Sequence, residues 1–316
     1  MATASCSDEE FVRLFEIKGA TKLATQLGVT VRNVLSRRSR LEGRLGRKIE
    51  SPYAPGGVIK TPIERERRLE IKITDGHIIV GGDAHYWPGR ETCAHRGFVY
   101  LADKLKVKAA VMNGDAFDGA KINRHPPIGW AKPPGVKEEL EAVVERMSEI
   151  RSAAPDDAKL IWLYGNHDMR FENRLAERAA EFEGVKGFRL QDHFPHWKFA
   201  WSLWINNNVV VKHRLKGGIH ASHNNTMYAG KTIVTNHLHN PKVSPFTDYN
   251  GTRYGVDTGT MADPEDEQFD YTEENPLNWR MAFAVLSFKN GKLLYPELVH
   301  VFDKNHIDFR GELIRV

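Results

Sequence analysis

From residue 65 onward, short apolar runs alternate with amphipathic stretches. Residues 77–82, 109–113, 160–164, 209–212 and 232–235 are brief and rich in Val, Ile and Leu, which predicts strands buried on both faces. Phe98, Leu101 and Leu105 recur at helical spacing between the first two runs. After Pro133-Pro134, Leu140, Val143, Val144, Met147 and Ile150 do the same before the third. Strand-helix-strand repetition predicts an α/β layered domain. A hairpin of residues 281–288 and 292–301 is expected around Asn290-Gly291, a dipeptide suited to a two-residue turn. Residues 194–204, dense in Trp and Phe, are expected to be core rather than a lid.

The first 50 residues read differently. Ser7 can accept from the start of a helix that runs to about Ile17, with Glu10 placed to complete a capping box. Gly19 separates a second short helix containing Leu23, Ala24 and Leu27, which Gly28 ends. Thr30 can cap a third, with Val31, Val34 and Leu41 as its apolar stripe. Residues 20–41 resemble a helix-turn-helix unit, in which the third helix would carry Arg32, Arg37, Arg38, Arg40 and Arg44 to nucleic acid. A helical module for assembly is the alternative. Pro52, Pro55, Gly56, Gly57 and Pro62 mark a linker, so the expected organisation is a module at 1–50, a linker at 51–64 and a larger domain at 65–316.

Charge sharpens that division. The 316 residues carry a formal net charge of +4, and residues 1–50 hold ten Lys or Arg against six Asp or Glu. The remaining 266 residues balance, with 35 of each sign. A basic module beside a neutral domain suggests a polyanionic partner, with DNA as the expected one. The longest apolar runs fall far short of the roughly 20 residues that a membrane-spanning helix needs. The opening MATASCSDEE has no secretory pattern, and Cys6 and Cys93 offer no disulfide framework, so a cytoplasmic protein without membrane contact is expected.

Candidate chemistry sits where the apolar runs end. The first is followed by Asp83-Ala84-His85, the second by Gly114-Asp115-Ala116-Phe117-Asp118, and the third by Gly165-Asn166-His167-Asp168. The fourth is followed by His213, with His220 as an alternative, and the fifth by Asn236-His237-Leu238-His239. Carboxylate, amide and imidazole groups converging from consecutive strand ends suit divalent cations.

In this order the motifs resemble those of the calcineurin-like metallophosphoesterase superfamily, over roughly residues 71–301. The resemblance implies a layered β-sandwich flanked by helices and two bound divalent cations, with Mn favoured and Fe, Zn or Ni acceptable. It implies that Asp83, His85 and His239 hold one cation and that Asn166, His213 and His237 hold the other, with Asp115 shared. His167 would be the general acid, oriented by Asp168, and Asp118 would fix a ligand histidine. The last motif has Asn236 where glycine is usual, which is compatible with a left-handed turn at that position. The fourth has His213-Arg214 where His-Gly is usual, and residues 254–260 resemble the strand and glycine turn that follow the last motif. Arg124 and His125, after the second motif, are expected to face substrate phosphate. The implied activity is hydrolysis of a phosphoester, with nucleic acid or nucleotides as the expected substrate class. The alternatives are a protein or small-molecule phosphomonoesterase, and a non-catalytic DNA-binding or scaffold protein.

Overall fold

The computed structural model describes residues 6–50, 65–125, 129–273 and 275–316; the expected linker at 51–64 lies outside them. The chain divides into two compact units, Met1–Glu64 with Ala179–Glu183, and Arg65–Arg178 with Gly184–Val316.

In the smaller unit, α1 (Asp8–Leu27) begins where the Ser7 hydroxyl accepts from the Glu10 amide at 3.1 Å. Gly19, at φ 71° and ψ 174°, breaks its helical path, so α1 is two helices meeting at a glycine. Gly28 closes it in the left-handed conformation. Then α2 (Val31–Leu45) starts where Thr30 accepts from Asn33 at 3.2 Å. Phe11, Phe15, Leu23, Ala24, Val34, Leu41 and Ile49 pack as its core. Val31, expected in the apolar stripe, is instead 39% exposed, because it lies at the first position of α2 and off the buried face.

The larger unit holds strands β1 (Leu69–Ile71), β2 (Gly76–Gly81), β3 (Ala109–Met112), β4 (Lys159–Leu163), β5 (Lys198–Ala200), β6 (Leu203–Ile205), β7 (Val209–Val211) and β8 (Thr232–Thr235). These are followed by β9 (Lys242–Asp248), β10 (Gly251–Asp257), β11 (Ala282–Lys289), β12 (Lys292–Leu293), β13 (Glu297–Asp303), β14 (His306–Phe309) and β15 (Glu312–Arg315). The helices are α3 (Cys93–Lys104), α4 (Val136–Ala153), α5 (Asp168–Arg178) and α6 (Ala221–Ala229). One sheet runs β15-β14-β13-β11-β2-β3-β4-β5, with β12 beside β11, and the other runs β1-β6-β7-β8-β10-β9.

Alternation along the strands explains the layers. Ile78 and Val80 of β2, and Ala109 and Val111 of β3, face the other sheet and pack with Val209, Val211, Val234 and Val256. Ile79, Ala110 and Met112 point the opposite way and pack beneath Phe98 and Leu101 of α3 and Val143, Met147 and Ile150 of α4. Both faces of the central strands are therefore dry, which is why their sequences read as continuous apolar runs. Phe194, Trp197 and Phe199 are buried in the helix-side core, whereas Trp201 is 40% exposed. Asn290 and Gly291 both take positive φ, as a tight hairpin turn after β11 requires. Strands β2, β3 and β4 run parallel, as do β7 and β8, so the motifs that follow them emerge at common sheet edges. Among the described residues no helix is long and apolar enough to cross a membrane.

Phe283 is fully buried and meets Phe98 edge-on at 5.4 Å, so Phe283→Ala is expected to lower the unfolding free energy by about 3–5 kcal/mol. Tyr249→Ala, at a fully exposed position, is expected to change it by less than about 0.5 kcal/mol. Urea denaturation midpoints at an unchanged m-value check both.

Candidate metal centre

The segments beyond the parallel strands are bound to one another by backbone pairs. Asp83 N–H donates to Gly114 C=O and His85 N–H to Asp115 C=O, each at 2.9 Å, so the first two motifs continue as a ladder past the sheet edge. Asn236 N–H donates to His213 C=O at 2.9 Å and ties the fourth motif to the fifth. The Asn236 side chain accepts from Asn113 Nδ2 at 2.8 Å and donates to Gly259 C=O at 3.1 Å, a buried strut that a glycine could not supply. The left-handed turn expected at Asn236 falls instead at His237 (φ 76°) and His239 (φ 57°), since the Asn236 backbone is committed to the ladder.

Two clusters of ligand atoms result. Asp83 Oδ1 lies 3.3 Å from His239 Nε2 and 3.9 Å from His85 Nε2. Asp83 Oδ1 and His85 Nε2 are buried with no hydrogen-bond partner, the condition expected of atoms that coordinate a cation. In the second cluster His213 Nε2 lies 3.1 Å from Asp115 Oδ2 and 3.2 Å from Asn166 Oδ1, and His237 completes it. Asp115 also groups with His85 and His167, which places it between the clusters. His213, only 2% exposed, enters the site, while its alternative His220 is exposed at the start of α6.

Hydrogen bonds to the far side of the rings set the tautomers. His213 Nδ1 lies 2.9 Å from the Asn113 carbonyl and His85 Nδ1 lies 2.8 Å from Asp118 Oδ1. Both rings then direct Nε2 inward, where a cation would bind once that nitrogen is unprotonated. The donor set of imidazoles, carboxylates and one amide oxygen fits two borderline divalent cations, and Mn, Fe, Zn or Ni all suit it.

The backbone bears a cost for this convergence. Asp83, His85, Asp115, His237 and His239 all take left-handed φ between 40° and 76°. Such conformations cost about 1–3 kcal/mol each and collect at functional sites. Close approach does the rest. A Cβ at Gly165 would stand 2.0 Å from Asp115 Oδ1, and one at Gly114 would stand 2.4 Å from the His213 ring.

His167 stands at the mouth of the site, its backbone N–H donating to Asp115 Oδ1 at 2.7 Å. Its Nδ1 lies 2.7 Å from Asp118 Oδ1, the same oxygen that meets His85. Burial pulls the His167 pKa down, but the Asp118 and Asp115 carboxylates overcome it and the net shift is upward. Burial likewise works against Asp118, yet the two imidazoles hold its carboxyl far below the usual range. Asp168, expected to orient His167, does not touch that ring. Its carboxylate accepts from the amides of Asp115, Phe117 and Gly165 and from the Trp162 indole, at 2.8–3.2 Å. It thereby binds the second and third motifs together, because its side chain turns back over the loop that precedes α5. Burial, with Asp115 nearby, pushes its pKa up to about 6.

Two further residues serve the site without a motif to announce them. Arg170, three residues past His167 on α5, donates to Asp118 C=O at 2.8 Å and brings Nη2 to 3.1 Å from His167 Nε2. Its i,i+3 spacing was a usable signal. Glu139 of α4 is fully buried beneath the same loop and accepts from Gly119 N–H. Burial, reinforced by Asp118, pushes its pKa up to about 8. Nothing in an amphipathic helix pattern marks it. Of the two residues expected to meet phosphate, His125 lines a cavity beside His167, whereas Arg124 is exposed and turned onto His125 at 3.3 Å.

The arginines of α2 are divided. Arg37 stacks on Phe11 at 4.5 Å and pairs with Asp8, Arg38 lies over Phe15 and pairs with Glu42, and Arg44 also pairs with Asp8. Arg37 and Arg38 are half-buried against those rings, whereas Arg32, Arg40 and Arg44 are exposed.

In motif order and site geometry the chain resembles the calcineurin-like metallophosphoesterases. No protein-family profile and no curated protein matches it. Among solved structures it is similar to Vps29 of Entamoeba histolytica complexed with zinc, at 13% identity over 76% of this chain and 98% of that one, with a TM-score of 0.40. It is also similar to a Saccharomyces cerevisiae protein serine/threonine phosphatase, itself similar to human phosphatase PP5, at 12% identity over 86% and 96%, with a TM-score of 0.35. The chemistry of the site rests on its own geometry.

Two measurements probe these charges. Burial disfavours a charged His213, but Asp115 and Asp83 raise its pKa to about 10, so at neutral pH the imidazole holds a proton that a cation must displace. Manganese titration in two buffers of different ionisation enthalpy is expected to show release of about one proton, with affinity rising with pH. For Glu139, the unfolded chain loses its proton near 4.5 and the native state near 8, so its contribution to stability falls as pH rises through that window. Glu139→Gln is expected to flatten the difference in stability between pH 5 and pH 8, measured by urea denaturation.

Proposed function

We propose that the chain is a two-metal-dependent phosphoester hydrolase acting on nucleic acid or nucleotides. The observation that carries this is the pair of ligand clusters meeting at Asp115, beside a histidine that a shared carboxylate orients. Asp83, His85 and His239 would hold one cation, and Asn166, His213 and His237 the other. Cations held there supply Lewis acidity toward phosphoryl oxygens and a more acidic water as the nucleophile.

The protein's own groups do the rest. Asp118 accepts from His167 Nδ1, which leaves Nε2 accepting from Arg170 Nη2 at 3.1 Å; Nε2 must take up a proton and Arg170 turn aside before the ring can protonate the departing oxygen. The Asp118 and Asp115 carboxylates raise the pKa of the ring, which favours its protonation. Arg170, 3.1 Å from the same nitrogen, adds fixed positive charge where negative charge develops. The absence of a side chain at Gly114 and Gly165 lets the His213 ring and the Asp115 carboxylate lie against the backbone there.

For the N-terminal unit, contact with DNA through Arg32 and Arg40 is the reading in keeping with its charge. Assembly is the second reading, favoured by the internal pairing of Arg37, Arg38 and Arg44.

With manganese, the full chain is expected to hydrolyse p-nitrophenyl phosphate esters, with kcat falling by about 10²–10⁴-fold in His167→Ala. Asp115→Ala is expected to abolish both cation binding and turnover. Undiminished rates in both variants would remove the site from the reaction. Arg32→Glu with Arg40→Glu should weaken DNA binding and flatten its salt dependence, whereas a change confined to oligomeric state would favour assembly.

A further inference from the structure

A cavity of about 870 Å³ opens beside His167. His167 and Asp118 line it, and none of the seven ligands does. On the reading that His167 is the general acid, the side of the phosphate facing this cavity is the side from which the alcohol leaves, since attacking and leaving oxygens lie in line across phosphorus. The inference rests on that reading. It asks what kind of alcohol the cavity is built to take.

Size is the first constraint. The volume lies in the range of about 300–1,000 Å³ typical of pockets that enclose a whole small ligand. A serine side chain or a simple alkoxide would leave most of it to water. The second constraint is charge. Arg170 projects into the cavity, anchored by the Asp118 carbonyl at 2.8 Å, with its stem packed on Gly119, where even a Cβ would stand 3.1 Å away. Lys121 and Lys132 line the same space with no carboxylate partner in salt-bridge range among the described residues, so a second anion beyond the scissile phosphate has cations to meet.

The third constraint is the rest of the lining. Trp87 and Tyr271 contribute ring surface, and Tyr271, edge-on to Phe269, is 58% exposed. Glu267 and Asp270 come from a segment separate from the cations, and Glu267 already accepts from the Trp87 indole at 3.0 Å. Carboxylates there can accept from sugar hydroxyls or exocyclic amines. Phosphate, ring face and hydrogen-bond donors in one molecule describe a nucleotide.

We propose that this cavity is a leaving-group subsite for a nucleotide, and that the chain is a phosphodiesterase whose departing alcohol belongs to a nucleoside carrying a phosphate of its own. Water adds its oxygen to phosphorus and gives up one proton. The ester bond to the nucleotide hydroxyl breaks, and that oxygen takes one proton from His167. The products are a phosphomonoester and a nucleotide with a free hydroxyl.

The test compares a single-stranded thymidylate trimer with bis(p-nitrophenyl) phosphate, using manganese-loaded full-length protein and a Lys121→Ala, Lys132→Ala double variant. The trimer is expected to have at least a tenfold higher kcat/KM than the small diester, and the double variant to lower that ratio about tenfold, chiefly through KM. A ratio near one in the wild type, or a ratio the double variant does not change, overturns the subsite. Hydrolysis of neither ester would instead overturn the hydrolase reading itself. Calorimetry on the metal-free protein gives a readout independent of turnover: thymidine 5′-monophosphate should bind at least tenfold tighter than inorganic phosphate, and equal binding of the two also overturns the proposal.

Discussion

Asp83 and Asp115 are buried within 3.3 Å of imidazole nitrogens, and the whole site follows from the need to balance their charge. Two carboxylates removed from water are costly unless cations or strong donors meet them. The protein supplies few donors. Asp83 Oδ1 has none, while its Oδ2 accepts from His237 N–H at 2.7 Å. Asp115 Oδ2 meets only His213, whose pKa rises in response. Without divalent cations part of that balance is held by the proton on His213. Replacing that proton with a metal would free the imidazole as a ligand and satisfy the bare oxygens together, so metal affinity and pH would be linked through the same atoms.

This arrangement has to be enforced by structure that gains nothing from it locally. Five ligands in left-handed backbone would relax if their neighbours allowed it. They are held by a frame with few alternatives: parallel strands buried on both faces, ladders that extend past the sheet edge, and buried polar struts at Asp168 and Asn236. Asp168 matters here because one carboxylate collects four donors, three from the second and third motifs and one from Trp162. Glu139 extends the frame downward, holding from below the loop whose Asp118 holds two histidines from above. The chemistry thus depends on a chain of carboxylates, only some of which face the site.

The strands and the convergence of the candidate ligand residues were legible because each is announced by its neighbours along the chain. An apolar run marks a buried strand, and a polar pair at its end has one sheet edge to reach. What escaped was set by contacts distant in sequence. Asp168 follows His167 directly and so invited a role in orienting it, but its carboxylate turns toward Trp162 and the second motif. Glu139 looks like any polar position on α4 until the loop from residue 118 to 120 is laid over it. Asn236 reads as a tolerated substitute for glycine, whereas its amide is a strut 2.8 Å from Asn113, a residue 123 positions earlier. Periodicity reports which face a residue takes, not which distant backbone it meets.

The basic N-terminal module shows the same limit for charge. A surplus of arginine along a helix was read as a field directed outward. In the folded unit a large part of it faces inward: Arg37 and Arg38 cap the Phe11 and Phe15 rings, and Asp8 takes both Arg37 and Arg44. Arg47 pairs with Glu16 in the same way. Of these contacts, the Asp8 pairs join α2 to the start of α1, beside the buried core of the unit. Any nucleic acid would therefore meet a helix whose exposed cations are fewer than its composition suggests, with Arg32 and Arg40 foremost among them. Binding through so few phosphate contacts is weak and has a shallow salt dependence. Selection of substrate would then fall to the site itself, where charge, ring surface and a proton donor meet in one cavity.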